Sequence, residues 1–310
     1  MRFDEFLSEV LYNSEKGYYF RKRIGEDYYT ATSFEKLFSW TFGKYFIKLG
    51  IENILEIGFG EGHFAREVIE FYRLHKKNIN YYVYERAKRG YINDVMHIDS
   101  IIQLRNFEGV IFQNEVLDAI EFRRFVFKNG SWYELYVKDM KEFYIQEIED
   151  TEVLEYLPKE VNEGLIYDIS IKALELLKSE YEILKRGFIV IVDYGYERRE
   201  ILERFPNGSL TCYYKHRILD NPFENLYEQD ITYFIDFTLI KDFLKKLGMT
   251  LVVDKSQGEF LIENGVLDIA EFITRNMSEY ERFKIFNKLK SLVLDFYNFR
   301  VLVFSKDFLV

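Results

Sequence analysis

The fold of this chain is decided by the segment Asn53-Ile54-Leu55-Glu56-Ile57-Gly58-Phe59-Gly60-Glu61-Gly62-His63-Phe64. The segment opens as a mostly apolar strand, runs into a turn with three glycines and continues as a helix. Glycine adopts positive φ at little cost and lets a ligand approach the backbone, and the N–H groups at the start of a helix can bind that ligand. The segment therefore predicts a site for a nucleotide-like ligand, with a tight turn that binds nothing as the alternative.

The residues around this turn favour one kind of nucleotide. A pyrophosphate-binding turn, Gly-x-Gly-x-x-Gly or Ala, would need a small residue where His63 stands. Glu56 and Glu61 would repel a diphosphate, but they would attract a ligand that carries an amine and a sulfonium. Glu85 ends the next predicted strand and follows the turn by roughly 20 residues, the spacing at which a carboxylate binds ribose hydroxyls in such folds. We therefore expect S-adenosylmethionine (SAM) rather than a dinucleotide.

The composition excludes several other classes of protein. A net charge of -10 argues against a nucleic-acid partner, because binding to a phosphate backbone normally needs a basic face. The single cysteine, Cys212, excludes an internal disulfide and any multi-cysteine metal site, and the four histidines show no metal-ligand spacing. The acidic start lacks a signal-type apolar core, and no stretch approaches the roughly 20 apolar residues of a membrane span. We expect a cytoplasmic protein with no metal ion and no membrane span.

Polar residues follow the ends of two further predicted strands. Asn114, Glu115 and Asp118 come directly after the apolar run 109–113, and Asp193 ends the apolar run 187–193. Strands that alternate with helices predict an α/β fold with a doubly wound, mostly parallel sheet, whose ligands bind just past the carboxyl ends of the strands. We therefore expect Asn114, Glu115 and Asp118 to line the pocket of the methyl acceptor. The alternative for the two acids is that they only complement a helix dipole.

A long predicted loop region, 196–236, contributes further candidates. Loops of this length are uncommon unless they function at a ligand site. We expect Glu228 and Asp230 to close over the acceptor pocket, with local capping of the loop as the alternative. His216 lies in the same region, where a structural hydrogen bond is the alternative to a substrate contact.

Ordered motifs along nearly the whole chain carry a family resemblance. They are Tyr12 through Tyr19, Tyr28-Tyr29-Thr30, Glu56-x-Gly58-x-Gly60-x-Gly62, Asn114-Glu115-x-x-Asp118-Ala119, Asp193-Tyr194-Gly195, and Glu228-Gln229-Asp230-Ile231-Thr232 with Asp236-Phe237. With these motifs the sequence resembles the MidA-like family of SAM-dependent methyltransferases, whose mitochondrial members assist complex I assembly by methylating an arginine. The resemblance implies a class I methyltransferase sheet of seven strands, the last one antiparallel, with a β-hairpin insertion and helical additions.

The resemblance also implies an activity and a set of site residues. The donor SAM, released as S-adenosylhomocysteine, would be bound by residues of the turn and its neighbours: Glu56, Gly58, Gly60, Gly62, Glu85 and Thr30. The substrate would be an arginine of a protein partner, such as a respiratory-complex subunit, contacted by Asp193, His216, Glu228 and Asp230. Because a guanidinium is planar and protonated, carboxylates such as Glu115 and Asp118 are suited to orient it. Methyl transfer to a small molecule or another side chain, and a SAM-binding assembly protein without turnover, stay open as alternatives.

The expected organisation is a single methyltransferase domain over residues 1–310. Its parts are an N-terminal helical cap (1–50), a Rossmann-like core (51–120 and 166–195), a β-insertion (121–165), the substrate-side loop region (196–236), and C-terminal core strands (237–310) with a helical insertion at about 265–295. The β-insertion is indicated by Asn129-Gly130 between two strand-like runs, a strong hairpin signal.

Overall fold

The structure is a computed structural model, which describes residues 1–22, 36–87, 92–145, 148 and 151–308. The chain divides into two compact units, each built from three separate stretches. The first unit comprises Met1–Tyr28, Val116–Lys178 and Tyr194–Leu247, and the second comprises Tyr29–Glu115, Ser179–Asp193 and Gly248–Val310.

The described chain contains helices and strands in alternating stretches over residues 53–84 and 166–196, and runs of like elements elsewhere. The helices are α1 (Phe3–Tyr12), α2 (Tyr18–Arg21), α3 (Lys36–Lys48), α4 (His63–Leu74), α5 (Ile171–Ile183), α6 (Arg198–Arg204), α7 (Phe237–Lys246), α8 (Gln257–Glu263), α9 (Val266–Thr274) and α10 (Glu279–Leu294). The strands are β1 (Asn53–Ile57), β2 (Asn80–Tyr84), β3 (Met96–His97), β4 (Phe107–Asn114), β5 (Arg123–Lys128), β6 (Ser131–Lys138), β7 (Lys141–Ile145), β8 (Ile166–Ile169), β9 (Leu184–Tyr196), β10 (Thr211–Tyr214), β11 (Arg217–Leu219), β12 (Asp230–Thr232), β13 (Ile235–Asp236), β14 (Thr250–Ser256) and β15 (Phe299–Lys306).

The second unit is organised around a sheet in the order β3-β2-β1-β4-β9-β15-β14. The pairs β1–β2, β1–β4, β4–β9 and β2–β3 are parallel, and β14 pairs with β15 antiparallel. This confirms the predicted α/β fold with a mostly parallel sheet; to the seven strands of this order, the short strand β13 adds an eighth by pairing with the end of β9. Ile57 at the end of β1 is in register with Tyr84 of β2 and Gln113 of β4. Because parallel strands end at the same edge of a sheet, the residues that follow β1, β2 and β4 are neighbours.

Helix α4 is fixed to this sheet by its apolar side. Phe64, Val68, Phe71 and Tyr72 recur at helical spacing and are buried. The ring of Phe64 stacks on that of Phe112 in β4, with centroids 4.1 Å apart and planes 6° apart. Burial of a phenylalanine side chain stabilises a fold by roughly 1.5–3 kcal/mol, so this contact holds the start of α4 against the sheet directly after the glycine turn.

The first unit contains a four-stranded antiparallel sheet in the order β7-β6-β5-β8. The predicted hairpin at Asn129-Gly130 is confirmed, with φ of 51° and 75° at these residues, as a tight turn between β5 and β6 requires. Inside the sheet, the buried guanidinium of Arg123 donates two hydrogen bonds of 2.7 Å to the carboxylate of Glu134. The paired geometry compensates for the burial of both charges.

The region 196–236, which the sequence analysis treats as loop, contains regular structure. It holds α6 and a three-stranded antiparallel sheet in the order β11-β10-β12, and the short strand β13 pairs in parallel with the end of β9 at Gly195 and Tyr196. The strands of this region have two to four residues, which is too short for a period-two pattern to be recognised. Of the candidate residues here, Asp230 lies in β12, which pairs with β10, whereas His216 lies in the turn between β10 and β11 and Glu228 lies in the turn before β12.

Candidate functional site

The glycine turn between β1 and α4 depends on left-handed backbone conformations. Gly58, Gly60 and Gly62 have φ of 74°, 54° and 75°. A Cβ atom added to Gly62 would lie 2.5 Å from both the ring of Phe59 and the Cδ1 atom of Ile92. Position 62 therefore requires glycine for two independent reasons, its backbone conformation and the space around it.

Glu85 lies beside this turn, directly after β2. Its Oε2 atom accepts a hydrogen bond of 2.8 Å from the N–H of Gly60, and its Oε1 atom accepts one of 2.8 Å from the N–H of Ala87. Each carboxylate oxygen can accept a second hydrogen bond. The arrangement orients Glu85 and leaves it able to accept hydrogen bonds from the two hydroxyls of a ribose, the role that the sequence predicts.

Glu56, in β1, is a buried acid with one tyrosine partner. The hydroxyl of Tyr81 donates a hydrogen bond of 2.7 Å to Glu56 Oε2. Burial raises the pKa of Glu56 to about 8; the hydrogen bond from Tyr81 opposes this effect, and the charge of Glu85 adds to it. Glu56 therefore carries a proton at neutral pH and would ionise if a cation came close to it.

These residues fit SAM better than a phosphate ligand. The segment from Glu56 to His63 contains two acids and no lysine or arginine, whereas a diphosphate would need positive charge. A ribose, an amine and a sulfonium match the orienting carboxylate of Glu85 and the ionisable carboxyl of Glu56. Thr30, also predicted to bind SAM, lies outside the described residues, as do Tyr28 and Tyr29.

Asn114 and Glu115 lie next to the turn, where β4 ends. The Asn114 amide donates a hydrogen bond of 3.0 Å from Nδ2 to Glu115 Oε1, and the Glu115 N–H donates one of 2.9 Å to the carbonyl of Val192. Among the described residues, the buried Oδ1 atom of Asn114 accepts no hydrogen bond. Glu115 has a φ of 52°, a strained conformation for a residue with a side chain and one that is typical of functional sites. Asp193 follows Val192, which is in register with Asn114, so three predicted site residues meet at this edge of the second unit.

A second group of acids lies within the first unit. We call Tyr19, Asp118, Tyr194 and Asp230 the buried acid cluster, since all four side chains are at least nine-tenths buried. The Tyr19 hydroxyl donates a hydrogen bond of 2.6 Å to Asp230 Oδ1. Burial raises the pKa of Asp118 to about 7; a hydrogen bond from Tyr194 opposes this effect, and the negative charge of Asp230 adds to it.

The other predicted substrate residues have surroundings of their own. The half-exposed carboxylate of Glu228 lies 3.1 Å from Arg21 and 3.6 Å from Lys22. His216 is exposed, with a φ of 60°, in the turn between β10 and β11. Asp236 caps α7 through the N–H of Leu239 and accepts a hydrogen bond of 2.7 Å from Arg198, so a structural role accounts for this member of the family motifs. The substrate contacts of Glu228, Asp230, His216 and Asp193 stay predictions.

Sequence reasoning did not assign roles to several residues around these sites. Tyr19 and Tyr194 stood inside quoted motifs, but the segments that contact them are far away in the chain. Gln113 donates hydrogen bonds of 3.3 and 3.1 Å to the two carboxylate oxygens of Glu180, whose pKa is raised well above its ordinary value by complete burial. One feature of the sequence could have indicated this contact: Gln113 is a polar residue at the end of an apolar strand, and a buried polar side chain needs a hydrogen-bond partner.

The described parts of the chain contain no grouping of His, Cys, Asp and Glu side chains that could bind a metal ion. In the same residues, no helix has the length and apolar character needed to cross a bilayer.

Comparison with known proteins identifies the family. A family model described as "putative S-adenosyl-L-methionine-dependent methyltransferase" matches residues 47–253, which is more than half of the chain. Two crystal structures of COG1565 superfamily proteins from Burkholderia thailandensis share the fold, each with 24% sequence identity and a TM-score of 0.86. The structure bound to S-adenosyl-homocysteine is matched over 99% of this chain and 88% of its own, and a native structure over 99% and 87%. The chain belongs to this family of SAM-dependent methyltransferases, with SAM as its cofactor.

Proposed function

We propose that this methyltransferase modifies an arginine side chain of a protein partner, as its resemblance to the MidA-like family implies. The observation that carries the proposal is the position of Glu115. Its carboxylate is held by Asn114 directly after β4, next to the strand that leads into the glycine turn. A carboxylate next to a methyl-donor site is suited to bind a cationic acceptor and to orient it by paired hydrogen bonds.

The proposed roles of the residues follow from their chemistry. SAM supplies an activated methyl group for an in-line displacement, so the protein contributes mainly position and a dry site. Glu85 and Glu56 bind the donor through its ribose and its positive charge. Glu115 holds the guanidinium of the acceptor, and Asn114 holds Glu115. The buried Oδ1 atom of Asn114 supports this assignment, because it can accept one hydrogen bond from a guanidinium N–H.

The buried acid cluster has a proposed role in proton transfer. Arginine loses a proton when it is methylated, and an acceptor works best when its pKa is near the working pH. Asp118, whose pKa burial raises to about 7, meets this condition, and Asp230 adjusts it by its charge. Glu228, Asp193 and His216 are proposed to contact the polypeptide around the arginine.

The organisation of the chain is part of the same proposal. The two units alternate along the sequence, with boundaries inside α5 and β9, so neither unit is a continuous stretch that could be separated. We therefore propose one methyltransferase domain over residues 1–310, with the partitions predicted from the sequence. A cytoplasmic location and a respiratory-complex subunit as the partner are proposed from the single cysteine and from the family resemblance.

Labelled SAM and a host lysate test the acceptor. The purified protein is incubated with methyl-labelled SAM and lysate, and labelled proteins are hydrolysed and analysed for methylarginine. Methylarginine in a labelled band supports the proposal. If only small molecules are labelled, the protein is instead a methyltransferase that acts on a small molecule. SAM-dependent thermal stabilisation without any label would favour an assembly protein without turnover.

A further inference from the structure

Helix α10 presents apolar side chains to solvent. Its inner side packs on α8 and α9 and buries Leu289 and Leu292. On the opposite side, Tyr280, Phe283 and Leu294 are 68%, 64% and 58% exposed. Single exposed apolar residues are ordinary, but Tyr280 and Phe283 are neighbours about one turn apart, and Leu294 extends the same side about three turns further along the helix, a pattern that indicates an interaction surface.

After an acidic first turn with Glu279 and Glu281, the same helix carries positive charge. Residues 282–294 contain Arg282, Lys284, Lys288 and Lys290 and no acid, although the whole chain has a net charge of -10. At 100° per residue, Lys284 and Lys290 lie on either side of the line formed by Tyr280, Phe283 and Leu294. We call these five residues the outward face of α10. The ammonium of Lys284 lies 4.4 Å from the ring centroid of Tyr280, so the charge and the ring are presented together.

We propose that the outward face of α10 binds an anionic phospholipid surface. A helix lies in a membrane interface when aromatic and aliphatic side chains enter the acyl boundary while lysines remain at the phosphate level. Lysine stems extend along an apolar surface and keep the ammonium in the polar layer, which matches the alternation of rings and lysines here. This binding concerns the membrane surface only and does not require a spanning helix.

The charge pattern selects this occupant over a second copy of the chain. A two-fold dimer through the outward face would bring the cations of one α10 against those of the other, because a two-fold interface joins the same patch on both subunits. Such like-charge contact is unfavourable. Anionic headgroups instead complement Lys284 and Lys290 together, and each basic residue near such a surface adds to the affinity.

Vesicle flotation of the full chain tests the proposal. The protein is mixed with vesicles of phosphatidylcholine, with or without phosphatidylglycerol, and is expected to float only with the anionic vesicles and less at high salt. Phe283→Ser, and separately Lys284→Gln with Lys290→Gln, should each lower the partition coefficient by roughly tenfold or more. The matched controls are Ile218→Ser, which changes a side chain that is 72% exposed in the first unit, and Lys76→Gln with Lys77→Gln, which removes the same charge from another exposed site.

The outcomes are separable from methyl transfer. Each variant is first checked for SAM binding, which shows that it is folded. If Phe283→Ser does not bind SAM, the lysine variant alone is used to test vesicle binding. The proposal is overturned if the wild-type protein does not float with anionic vesicles, or if the α10 variants float as well as their controls. A third result would also overturn the proposal: sedimentation shows a wild-type dimer that Phe283→Ser dissociates, and the wild-type protein does not bind vesicles. The outward face of α10 would then join two copies of the chain.

Discussion

The glycine turn with Glu85 and the buried acid cluster hold their carboxylates by different means. Glu85 accepts hydrogen bonds from two backbone N–H groups, those of Gly60 and Ala87. In the acid cluster, Asp118 and Asp230 lie close enough for the charge of one to raise the pKa of the other, and tyrosine hydroxyls stabilise them. The glycine turn therefore presents an oriented hydrogen-bond acceptor, the carboxylate of Glu85, to a ligand. The buried acid cluster contains a carboxyl group, that of Asp118, which can gain or lose a proton near neutral pH.

Under the proposed function, this difference separates two tasks, which are donor binding and proton removal from the methyl acceptor. Binding the donor requires geometry that does not change during the reaction, and backbone hydrogen bonds provide it. Under the proposed function, a group with a pKa near the working pH removes a proton from the acceptor, and burial with a like charge nearby gives Asp118 such a pKa. We therefore expect donor binding and methyl transfer to depend on different residues.

The largest expected effect is the separation of donor binding from transfer. Glu115→Ala should leave SAM affinity unchanged and lower the rate of transfer by roughly 100-fold or more, because the acceptor loses its orienting carboxylate. Glu85→Ala should instead weaken SAM binding by roughly tenfold or more, since charge-assisted hydrogen bonds to the ribose are lost. Calorimetry measures the affinity, and single-turnover kinetics at saturating SAM measure transfer.

The control for both variants is Glu52→Ala. Glu52 is an exposed acid before β1, so the substitution removes the same charge and side chain without touching the site. It should change neither quantity. An equal loss of SAM binding in Glu85→Ala and Glu115→Ala would refute the division of roles.

The next effect concerns the backbone of the turn. Gly62→Ala should lower the free energy of unfolding by about 2–4 kcal/mol and weaken SAM binding. A positive φ is unfavourable for alanine, and its Cβ atom would overlap Phe59 and Ile92. Gly130→Ala is the matched control: its φ is also 75°, but its Cβ would meet no atom within 4 Å, so it should cost only about 1–2 kcal/mol. Urea denaturation measures the free energy of unfolding of both variants. Equal losses would mean that Phe59 and Ile92 move aside and that the packing of the turn is not restrictive.

The contrast between the two regions also explains what the sequence could predict. The turn was predictable because its determinants are local: glycines between a strand and a helix, and Glu85 at the end of the next strand. The hairpin at Asn129-Gly130 was predictable for the same reason. The parallel sheet order followed from the alternation of strands and helices, which general rules of chain connection constrain.

The sequence assigned Asp118 and Asp230 to one pocket, but the tyrosine contacts of the acid cluster could not be predicted, because its members come from distant parts of the chain. Tyr19 and Asp230 are separated by 211 positions, and no periodicity in the sequence encodes their contact. The strands around Asp230 have two to four residues, so they resembled loop. The contact between Gln113 and Glu180 was missed because it joins a strand to a helix through side chains alone.

A smaller effect tests the charge of the cluster. Tyr19→Phe removes a hydrogen bond to a buried carboxylate and should destabilise the protein by about 1.5–3 kcal/mol. Tyr12→Phe is the matched control, because the Tyr12 hydroxyl donates to the neutral carbonyl of Ala119 at 2.8 Å and should be worth only about 0.5–1.5 kcal/mol. Denaturation at neutral pH compares the two variants. If Tyr12→Phe costs as much as Tyr19→Phe, Asp230 is not the ionised member of the cluster.

The smallest effect is a pH dependence of SAM affinity that comes from Glu56. In the free protein its pKa is about 8, above the ordinary value of 4.5, so below pH 8 it holds a proton that a cationic ligand would displace. Affinity should therefore rise with pH, by at most about tenfold per unit, and level off above pH 8, with proton release on binding.

The amine of SAM also titrates in this range, so the slope must be compared with that of Glu56→Gln, which keeps an acceptor for Tyr81 and removes the titration. Calorimetry in buffers of different ionisation enthalpy measures both the affinity and the protons released. If the wild type and Glu56→Gln show the same slope, Glu56 does not sense the charge of the donor, and the turn binds SAM through Glu85 and the backbone alone.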